Sequence, residues 1–598
     1  MIKVSDFVFS HLHKLGAKQA FLISGGGAIH LVDSIGKSKI KYICNHHEQG
    51  SAIAAEAYSR INGKFGLCVV TTGPGSTNTL TGLIGAWLDS IPVVFISGQV
   101  KREIIADYQK LRQLGDQEIN IIDMVKPVTK YAVTVNNSEN IQYHLDKAVH
   151  LATTGRPGPV WINIPMDIQG AMVNETKLKR YVVKNTNSRV VDDKKLSKEV
   201  GFVINKLSKA KRPVLLVGNG VRLSSAHKKL LNLITLLKIP VITGFASFDM
   251  VSSENEYFAG RAGTIGQRAG NFAIQNSDLL IIIGARLNIR MIGYNYQAFA
   301  PKAYKIMADI DNEEMSKKTL SIDKKIHIDA KIFIEEMIWQ LKRKSIKFNI
   351  DDWRKKIKYW KKTYPSVLPE YWKLKNYVNP YCFIETLSKY INSNDVLALS
   401  NATASICTYQ ALRFPQGTRV ITNSGCASMG YGLPASIGAY LANPTGRTIC
   451  LEGDGSIQMN IQELQTIVHN KLPIKIFVIN NEGYVSIRLT QKNLFAGKYI
   501  ASSAKSGVSC PDILKIAKAY GIKIKKITSH REMDKKVKET LASEEPIICE
   551  VVVSPKMEFL PKASSKKLPD GTFVSRPLED MYPFLNPKEV EQNMSISL

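Results

Sequence analysis

One pattern occurs twice in this chain: an apolar run, a glycine-rich turn, a helical stretch, a proline and a second apolar run. The first copy covers 67–97 and has Gly73-Pro74-Gly75-Ser76 at its turn. The second covers 449–480 and has Gly453-Asp454-Gly455-Ser456 at its turn. Each copy predicts a strand, a turn, a crossover helix and a parallel strand, with the turn at the strand end where such sheets bind ligands. The sequence therefore predicts two related α/β halves built on parallel sheets.

Only the second copy carries an acidic residue at its turn. Asp454 follows one apolar run, and Asn480-Asn481 end the next run. Because the carboxyl ends of neighbouring parallel strands share one edge of the sheet, these side chains are expected to converge on one cation. Carboxylate and amide oxygens are the hard ligands that hold Mg²⁺ against a diphosphate. The second copy therefore predicts a magnesium site, and the first copy must serve another purpose.

Length and composition place the chain among multidomain globular proteins. A chain of 598 residues exceeds one hydrophobic core and predicts three or four domains. The hydrophobic content of 44% is ordinary, and no apolar run reaches the length of a bilayer-spanning helix. The N-terminal residues lack the pattern of a signal peptide, so a cytoplasmic location without a membrane partner is expected.

The net charge of +29 raises the question of nucleic-acid binding. The lysines are spread along the chain and no nucleic-acid motif accompanies them, which favours a solvated basic surface and no nucleic-acid partner. The eight cysteines form no C-x-x-C pair and have no histidine at zinc-finger spacing. They are expected to be buried small hydrophobic residues, outside any disulfide framework or structural zinc site.

Apolar runs that alternate with helical stretches divide the chain into four parts. Residues 1–175 predict a first doubly wound domain, and 190–340 predict a central Rossmann-like domain. A polar linker near 177–195 and a basic, Trp-rich segment near 340–375 separate the domains. Residues 365–555 predict a third α/β domain. Residues 556–598, rich in Pro, Lys and Ser, predict an irregular C-terminal arm that packs over another surface.

The second copy resembles the thiamine diphosphate motif, G-D-G followed after about thirty residues by N-N. The resemblance extends over nearly the full length to the acetolactate synthase family of thiamine diphosphate enzymes. It implies their fold, in which the first domain binds the pyrimidine and the third domain binds the pyrophosphate of the cofactor. His47-Glu48-Gln49-Gly50 resembles the family's H-E-Q-G segment. Glu48 would then be the catalytic glutamate that bonds the aminopyrimidine and promotes loss of the thiazolium C2 proton.

The resemblance implies cofactor contacts in both halves. Gly25-Gly26-Gly27 resembles the glycine turn beside the aminopyrimidine, where a side chain would collide with the ring. Residues 72–78 resemble T-S-G-P-G-A-T-N, and 425–435 resemble G-T-M-G-F-G-L-P-A, in which Met429 would force the cofactor into a V shape. The implied cofactor-binding residues are Gly26, Gly27, Pro74, Asn78, Thr403, Ala404, Ala427, Met429, Gly453, Gly455, Ser456, Tyr484 and Val485.

The same resemblance implies the metal ligands, the assembly and a substrate contact. Asp454, Asn481 and the main-chain oxygen of Gly483 would hold Mg²⁺. The family places its cofactor between domains of different subunits, so a homodimer or homotetramer with shared active sites is expected. Gln117 resembles the Gln of the family's F-Q-E motif and would face the reacting substrate, although Asp116 replaces the Phe. The loop lacks the His-His dyad of simple pyruvate decarboxylases, which favours carbon–carbon ligation.

Departures from the family pattern leave the acceptor substrate open. Asn401-Ala402-Thr403-Ala404 replaces V-G-Q-H, and Ser486 and Thr490 replace a pocket Met and Trp. Hydroxyl groups favour a hydroxylated acceptor, and Arg488 would add an anion contact. The implied enzyme adds a two-carbon unit from pyruvate to a 2-oxo acid or, as in similar polysaccharide-pathway enzymes, to a nucleotide-linked keto-sugar. A non-catalytic cofactor-binding paralogue is a third hypothesis, which the presence of Glu48 and Asp454 disfavours.

The central domain resembles the family's flavin-binding domain. The residues that carry this resemblance are Arg156, Gly284, Arg286 and Asp309. A bound FAD would be structural there rather than redox-active. The family's R-F-D-D-R sequence is here Arg286-Leu287-Asn288-Ile289-Arg290, so FAD binding is left open.

Overall fold

The computed structural model describes residues 1–183, 192–343, 348–567 and 569–596. It contains three six-stranded sheets in which all neighbouring strands are parallel, with helices in the connections. The prediction of three doubly wound α/β domains is confirmed. Residues 184–191 of the predicted polar linker and 344–347 of the basic segment lie outside the described residues.

The first domain carries a sheet with strand order 2-1-3-4-6-5, counted along the chain. Its strands are Gln19–Leu22, Lys41–Cys44, Gly66–Val70, Val93–Gln99, Ala132–Thr134 and Val160–Pro165. Its α-helices are Val4–Lys14, Ile29–Lys37, Glu48–Asn62, Pro74–Thr77, Leu80–Asp89, Ile121–Val125, Ile141–Thr153 and Met166–Gly170. Ile2–Lys3 and Met172–Val173 form a separate antiparallel pair. The third and fourth strands form the first copy of the repeated pattern.

The third domain repeats the same strand order, 2-1-3-4-6-5. Its strands are Val396–Leu399, Arg419–Thr422, Thr448–Gly453, Lys475–Asn480, Lys523–Ile527 and Ile547–Val552. Its α-helices are Pro380–Ser388, Ala402–Ala411, Gly432–Ala442, Glu463–His469, Val485–Leu494, Ile513–Ala519 and His530–Leu541. The helix predicted to begin near Asn460 is a 3-10 turn, Ile457–Asn460, followed by the helix from Glu463. The two copies of the repeated pattern therefore occupy equivalent places in two sheets.

The central domain has the strand order 3-2-1-4-5-6 of a Rossmann-like sheet. Its strands are Pro213–Val217, Val241–Thr243, Phe258–Arg261, Leu279–Ile283, Tyr304–Asp309 and Lys324–His327. Its α-helices are Asp193–Lys209, Gly220–Leu223, His227–Leu237, Arg268–Asn276, Ile289–Ile292, Asn312–Met315 and Ala330–Arg343. The helix Asp351–Thr363, from the segment predicted to separate two domains, also packs here, because Trp353 and Trp360 are buried in this core.

The first and third domains meet through two helices, Glu48–Asn62 and Gly432–Ala442. The contact is close enough that a Cβ atom on Gly438 would lie 2.0 Å from the carbonyl oxygen of Ala54. A buried ionic network runs along this contact: Arg60 pairs with Glu56 and Asp89, and the Tyr431 hydroxyl donates to Glu56. The helix that begins at Glu48 is thereby fixed against the third domain.

The C-terminal arm leaves the third domain and packs on the central one. It contains the hairpin Ser565–Lys567 and Phe573–Ser575 and the helix Pro587–Met594. Asn271 donates to the carbonyl of Leu578, and the Trp360 indole donates to the Asn593 side chain at 2.8 Å. The arm therefore covers the central helix that begins at Arg268.

The cysteines are all free thiols. Cys44 is exposed, and Cys426 and Cys510 are partly exposed, so the prediction that every cysteine is buried is wrong for these three. Cys44 is exposed because its strand alternates between a buried Ile43 and solvent-facing neighbours. Among the described residues, no helix has the length and apolar character needed to cross a membrane.

Candidate functional site

The predicted metal residues follow two adjacent strands of the third sheet. Asp454 comes after Thr448–Gly453, and Asn481 comes after Lys475–Asn480. Both side chains are buried, with 4% and 3% of their surface exposed. The Asp454 carboxylate accepts a hydrogen bond from the main-chain N–H of Gly483 at 2.8 Å. The two strand ends are therefore held together at one edge of the sheet.

The oxygens at this edge suit a hard cation. The side-chain nitrogen of Asn481 donates to Thr403, but its Oδ1 has no hydrogen-bond partner among the described residues. Burial raises the pKa of Asp454 to about 6, against the lowering effect of hydrogen bonds from main-chain N–H groups such as that of Gly483. A buried carboxylate and a buried acceptor without a donor are both unfavourable alone. A bound Mg²⁺ would satisfy both groups, so the donor set fits this metal.

A cleft of about 270 Å³ opens at this edge. Predicted cofactor and metal residues that line it are Thr403, Ala427, Met429, Gly453, Asp454, Gly455, Ser456, Asn481, Gly483, Tyr484 and Val485. A Cβ atom on Gly455 would lie 2.5 Å from the Tyr484 ring, so only glycine fits at this turn. Ala404 does not line the cleft and instead lies in the hydrophobic core behind it. Ser456 is tied to the protein, since its hydroxyl accepts from the Gly430 N–H and bonds Ser400.

The loop that carries Met429 is anchored by the first domain. The Asp89 carboxylate accepts hydrogen bonds from the main-chain N–H groups of Ser424 and Gly425, each at 3.0 Å. Ala427 has a φ of 53° in the left-handed region, and its carbonyl accepts from the Asn401 side chain at 3.3 Å. This backbone is unfavourable for a residue with a Cβ atom, so the flanking hydrogen bonds hold it. The loop places Met429 in the wall of the cleft.

The structure contradicts the anion contact predicted for Arg488. The guanidinium is buried and donates to four main-chain carbonyls. The acceptors are Glu482 and Ser502 at 2.8 Å, Asn481 at 2.6 Å and Pro555 at 3.3 Å. Both Nη groups of the guanidinium are therefore occupied by the protein. Arg488 ties the metal-side loop to the loop around Ser502 and to the start of the C-terminal arm.

The residues predicted in the first domain gather at the end of the strand Gly66–Val70. Asn78 donates to the Glu48 carboxylate at 3.0 Å, and a Cβ atom on Gly75 would lie 3.7 Å from that carboxylate. Pro74 begins the short helix that contains Gly75. Glu48 itself begins its helix, where the His47 ring accepts the N–H of Gln49. A short polar cluster thus surrounds a carboxylate at the first copy of the glycine turn.

The glycine turn and Gln117 border the same strand end. Cβ atoms on Gly25 and Gly27 would lie 2.5 Å and 3.0 Å from Thr71 and Thr72 atoms, whereas one on Gly26 would meet nothing within 4 Å. Gln117 has a φ of 58°, and its carbonyl accepts from the Thr72 hydroxyl at 3.3 Å. Gly26, Gly27 and Gln117 therefore belong to the group around Glu48.

The two groups of predicted residues do not meet within one chain. The 270 Å³ cleft is lined by Phe245, Arg290 and residues between 399 and 487. No described residue of 1–183 contributes to its lining. Glu48, Asn78 and Gln117 lie outside it. Each chain therefore carries two separate half-sites, one with the metal-type oxygens and one with the carboxylate.

The predicted flavin residues share a second cleft, which lies between the first and central domains. Arg156, Gly284, Arg286 and Asp309 all line it. Glu314 lies between three cations: Arg156 at 3.0 Å, Arg286 at 2.9 Å and Lys317 at 2.6 Å. The cleft opens at the carboxyl ends of the Rossmann-like strands, which is where dinucleotides bind in such sheets.

Motif comparison did not single out Arg290 as a site residue. Its side chain lines both clefts and stacks over the Phe245 ring at 4.6 Å. Among the described residues, its guanidinium has no carboxylate within ion-pair distance, and burial lowers its pKa. The sequence signal for Arg290 is its place at the end of Arg286-Leu287-Asn288-Ile289-Arg290. The sequence analysis relates this segment only to flavin binding. Arg290 is thus a cation available to a ligand in either cleft.

Comparison with known proteins assigns the chain to a family. Models of the thiamine pyrophosphate enzyme match in three parts: the N-terminal TPP binding domain over residues 2–124, the central domain over 200–337 and the C-terminal TPP binding domain over 402–551. The fold and these matches define a thiamine pyrophosphate enzyme.

Similarity to individual proteins covers nearly the whole chain. The acetolactate synthase large subunit of Cyanidium caldarium is 32% identical over 93% of this chain and 94% of its own length. The acetolactate synthase isozyme 2 large subunit of Escherichia coli (strain K12) is 30% identical over 92% of this chain and 95% of its own length. The chain therefore belongs to the acetolactate synthase family and is a thiamine diphosphate-dependent carboligase.

Proposed function

We propose that this enzyme decarboxylates pyruvate and joins the remaining two-carbon unit to a second 2-oxo acid. The observation that carries the metal-held cofactor in this proposal is the buried Asn481 Oδ1, which has no donor among the described residues, in the same cleft as the buried Asp454 carboxylate. The names of the similar proteins support the acetolactate type of reaction.

The residues of the third domain would hold the cofactor through its metal. Asp454, Asn481 and the main-chain oxygen of Gly483 would bind Mg²⁺, which in turn would hold the diphosphate. Glycine is needed at position 455 of this turn because a side chain there would collide with the Tyr484 ring. When bound, thiamine diphosphate supplies the nucleophilic carbon and accepts the electrons released with CO₂.

Glu48 would take part in the proton transfer that activates the cofactor. Asn78 donates to one oxygen of its carboxylate, which orients the group and leaves the other oxygen free to share a proton with a ring nitrogen. The neighbouring turns at Gly26 and Gly75 keep side chains away from this carboxylate, so a planar ring can approach. Glu48 would hold a proton at that nitrogen during turnover.

The separation of the two half-sites supports shared active sites. The cleft with Asp454 lacks an acid from residues 1–183, and the Glu48 cluster lacks metal-type ligands. In a dimer with a twofold axis, the Asp454 half-site of each chain would face the Glu48 half-site of the other chain, so that two complete sites form. We therefore propose a homodimer, or a homotetramer built from such dimers.

Arg290 would bind the carboxylate of the 2-oxo acid. It is the cation of the cleft lining without an ion pair among the described residues, whereas Arg488 is committed to four carbonyls. A guanidinium in a partly dry site binds a carboxylate strongly and with fixed orientation. This contact would select 2-oxo acids over simple aldehydes as donors.

A nucleotide-linked keto-sugar is the second candidate for the acceptor. Asn401 and Ser486 line the cleft and would offer hydrogen bonds to sugar hydroxyls. Thr490 gives less support, because it is exposed and its hydroxyl donates to the Ser486 carbonyl at 3.1 Å. The polar part of the wall is therefore smaller than the sequence predicts, which favours the 2-oxo acid.

FAD would occupy the central cleft as a structural ligand. Arg156 and Arg286 line this cleft and would offer hydrogen-bond donors to a diphosphate. Purified protein carrying FAD would show flavin absorbance that is released on denaturation. A colourless protein that takes up no FAD would contradict this assignment.

The proposed reaction is tested by a product assay. Purified protein is incubated with thiamine diphosphate, Mg²⁺ and pyruvate, with and without a nucleotide-linked keto-sugar, and products are identified by NMR. Rapid acetolactate formation from pyruvate alone supports the proposal. Slow pyruvate turnover that the sugar accelerates, with a branched sugar product, would establish the second candidate instead.

A further inference from the structure

A buried glutamate outside the proposed site joins the third domain to the segment in front of Glu48. Glu463 begins the helix Glu463–His469 and is fully buried. It does not line the 270 Å³ cleft. Its carboxylate instead reaches Asn45 and His46 of the first domain. Because a buried carboxylate is unfavourable unless hydrogen bonds replace its lost water, these contacts are needed to keep the group in place.

Three donors converge on the Glu463 carboxylate. The Asn45 side-chain amide donates to Oε2 at 2.8 Å, and the main-chain N–H of His46 donates to Oε1 at 3.1 Å. The Thr466 hydroxyl also donates to Oε2 at 2.8 Å, and the His46 ring nitrogen Nδ1 lies 3.1 Å from that hydroxyl. Burial raises the pKa of Glu463, whereas the three hydrogen bonds lower it and favour the ionised form. The carboxylate and Thr466 therefore hold both the main chain and the ring of His46, close before Glu48 in the sequence.

The helix that begins at Glu48 leaves space for this carboxylate in its first turn. A Cβ atom on Gly50 would lie 2.4 Å from Glu463 Oε1 and 2.8 Å from its Cδ. Gly50 lies within a regular helix, so the close approach of the carboxylate is what requires glycine at this position. The segment His47-Glu48-Gln49-Gly50 thus carries both the acid of the half-site and a contact that fixes its helix.

Glu463 is itself supported by the metal-side turn of the third domain. Its helix follows the 3-10 turn Ile457–Asn460, which begins directly after Ser456. The Asn460 side chain donates to the carbonyl of Gly430 at 2.8 Å, and the N–H of Gly430 donates to the Ser456 hydroxyl at 2.8 Å. Asn460 and Ser456 are both buried. The carboxylate therefore projects from a buried, hydrogen-bonded base.

We propose that Glu463 is a positioning residue for Glu48. It fixes the main chain at His46 and the first turn of the following helix, so that the Glu48 carboxylate, oriented by Asn78, meets the cofactor ring in the geometry needed for proton transfer. A displacement of about 1 Å at a reacting group can lower a rate about 100-fold, so this support acts on turnover and not only on stability. The inference rests on the proton role proposed for Glu48.

Exchange of the thiazolium C2 hydrogen for deuterium tests the proposal, because it reports the proton transfer without pyruvate. The enzyme is saturated with thiamine diphosphate and Mg²⁺ in D₂O, quenched with acid at set times and examined by proton NMR. We expect exchange at least about tenfold slower in Glu463→Ala, with thiamine diphosphate affinity within about threefold of the wild-type value. Asn593→Ala is the control for lost stability and should exchange at the wild-type rate, because Asn593 bonds Trp360 and Tyr364 in the central domain.

A measurement on the cofactor-free protein tests the contact itself. Amide hydrogen exchange is followed by mass spectrometry in peptides that cover residues 45–50. The main-chain N–H of His46 loses its acceptor in Glu463→Ala, so its exchange should become at least about tenfold faster. Peptides of the C-terminal arm should show wild-type exchange in this variant and faster exchange in Asn593→Ala.

Wild-type C2 exchange in folded Glu463→Ala would overturn the proposal, and so would unchanged amide exchange at residues 45–50. Glu48→Gln separates this result from failure of the proposed function. If Glu48→Gln slows C2 exchange and Glu463→Ala does not, only the positioning role is wrong. If neither variant slows it, the proton role of Glu48 is wrong as well. If Glu463→Ala fails to fold by circular dichroism, Glu463→Asp gives the same comparison, since it keeps the charge but withdraws the carboxylate from His46 by one methylene.

Discussion

Replacement of Arg488 by lysine should weaken cofactor binding through the metal-side loop. The guanidinium uses two separate nitrogens to hold four carbonyls, among them those of Asn481 and Glu482 next to the proposed metal. Lysine carries its donors on one ammonium nitrogen, so it cannot reach the same four carbonyl oxygens. The charge is retained, so the change isolates the geometry of the contact.

The size of the effect follows from the bonds that are lost. A hydrogen bond from a charged donor contributes about 1.5–3 kcal/mol. If lysine keeps two of the four contacts, the local loss is about 3 kcal/mol or more. Part of this loss falls on the loop around Ser502 and on the arm, so we expect roughly tenfold weaker Mg²⁺-dependent binding of thiamine diphosphate.

Calorimetric titration of thiamine diphosphate at saturating Mg²⁺ measures this change. Arg413→Lys serves as the control, because that arginine forms an exposed ion pair with Glu385 and should show wild-type affinity. Urea denaturation of both variants gives their free energies of unfolding. Unchanged cofactor affinity in Arg488→Lys, together with a loss of stability, would refute the reasoning, since Arg488 would then support only the fold.

Three further predictions concern separate parts of the molecule. Glu48→Gln should keep the fold and bind cofactor but lose at least about 100-fold in turnover, measured as CO₂ release; undiminished turnover would exclude its proton role. Burial raises the pKa of Asp454 to about 6, so protonation of the metal-free carboxyl should weaken Mg²⁺ binding as the pH falls below this value. Mg²⁺ titrations above and below pH 6 check this, and pH-independent affinity would contradict it. Asn593→Ala removes hydrogen bonds to Trp360 and Tyr364 and should lower the free energy of unfolding by about 2 kcal/mol in urea. An unchanged unfolding midpoint would mean that these two hydrogen bonds add no stability.

The repeated pattern predicted both the paired topology and the metal-side edge, because strand ends in parallel sheets fix where the following residues lie. Asp454 and Asn481 could be placed together from their positions after two adjacent strands. The two bulky indoles of Trp353 and Trp360 were part of a segment predicted to separate domains. They instead fill the central core, since only the fold shows which surface covers them.

Contacts between distant parts of the chain could not be predicted. Arg488 was assigned to an anion because the sequence shows its charge but not the carbonyls of Ser502 and Pro555 that surround it. Arg290 was not predicted as a site residue, because its lack of an ion-pair partner is visible only in the three-dimensional structure.

Complementation between two inactive variants tests most directly whether two chains build each active site. Glu48→Gln and Asp454→Asn chains are produced separately and together, and pyruvate consumption is measured with thiamine diphosphate and Mg²⁺. Each variant alone should be inactive. Mixed dimers contain one intact site, so co-expression should restore about a quarter of the wild-type activity per chain. No recovery from verified mixed dimers would contradict the account, because Glu48 and Asp454 would then act within the same chain.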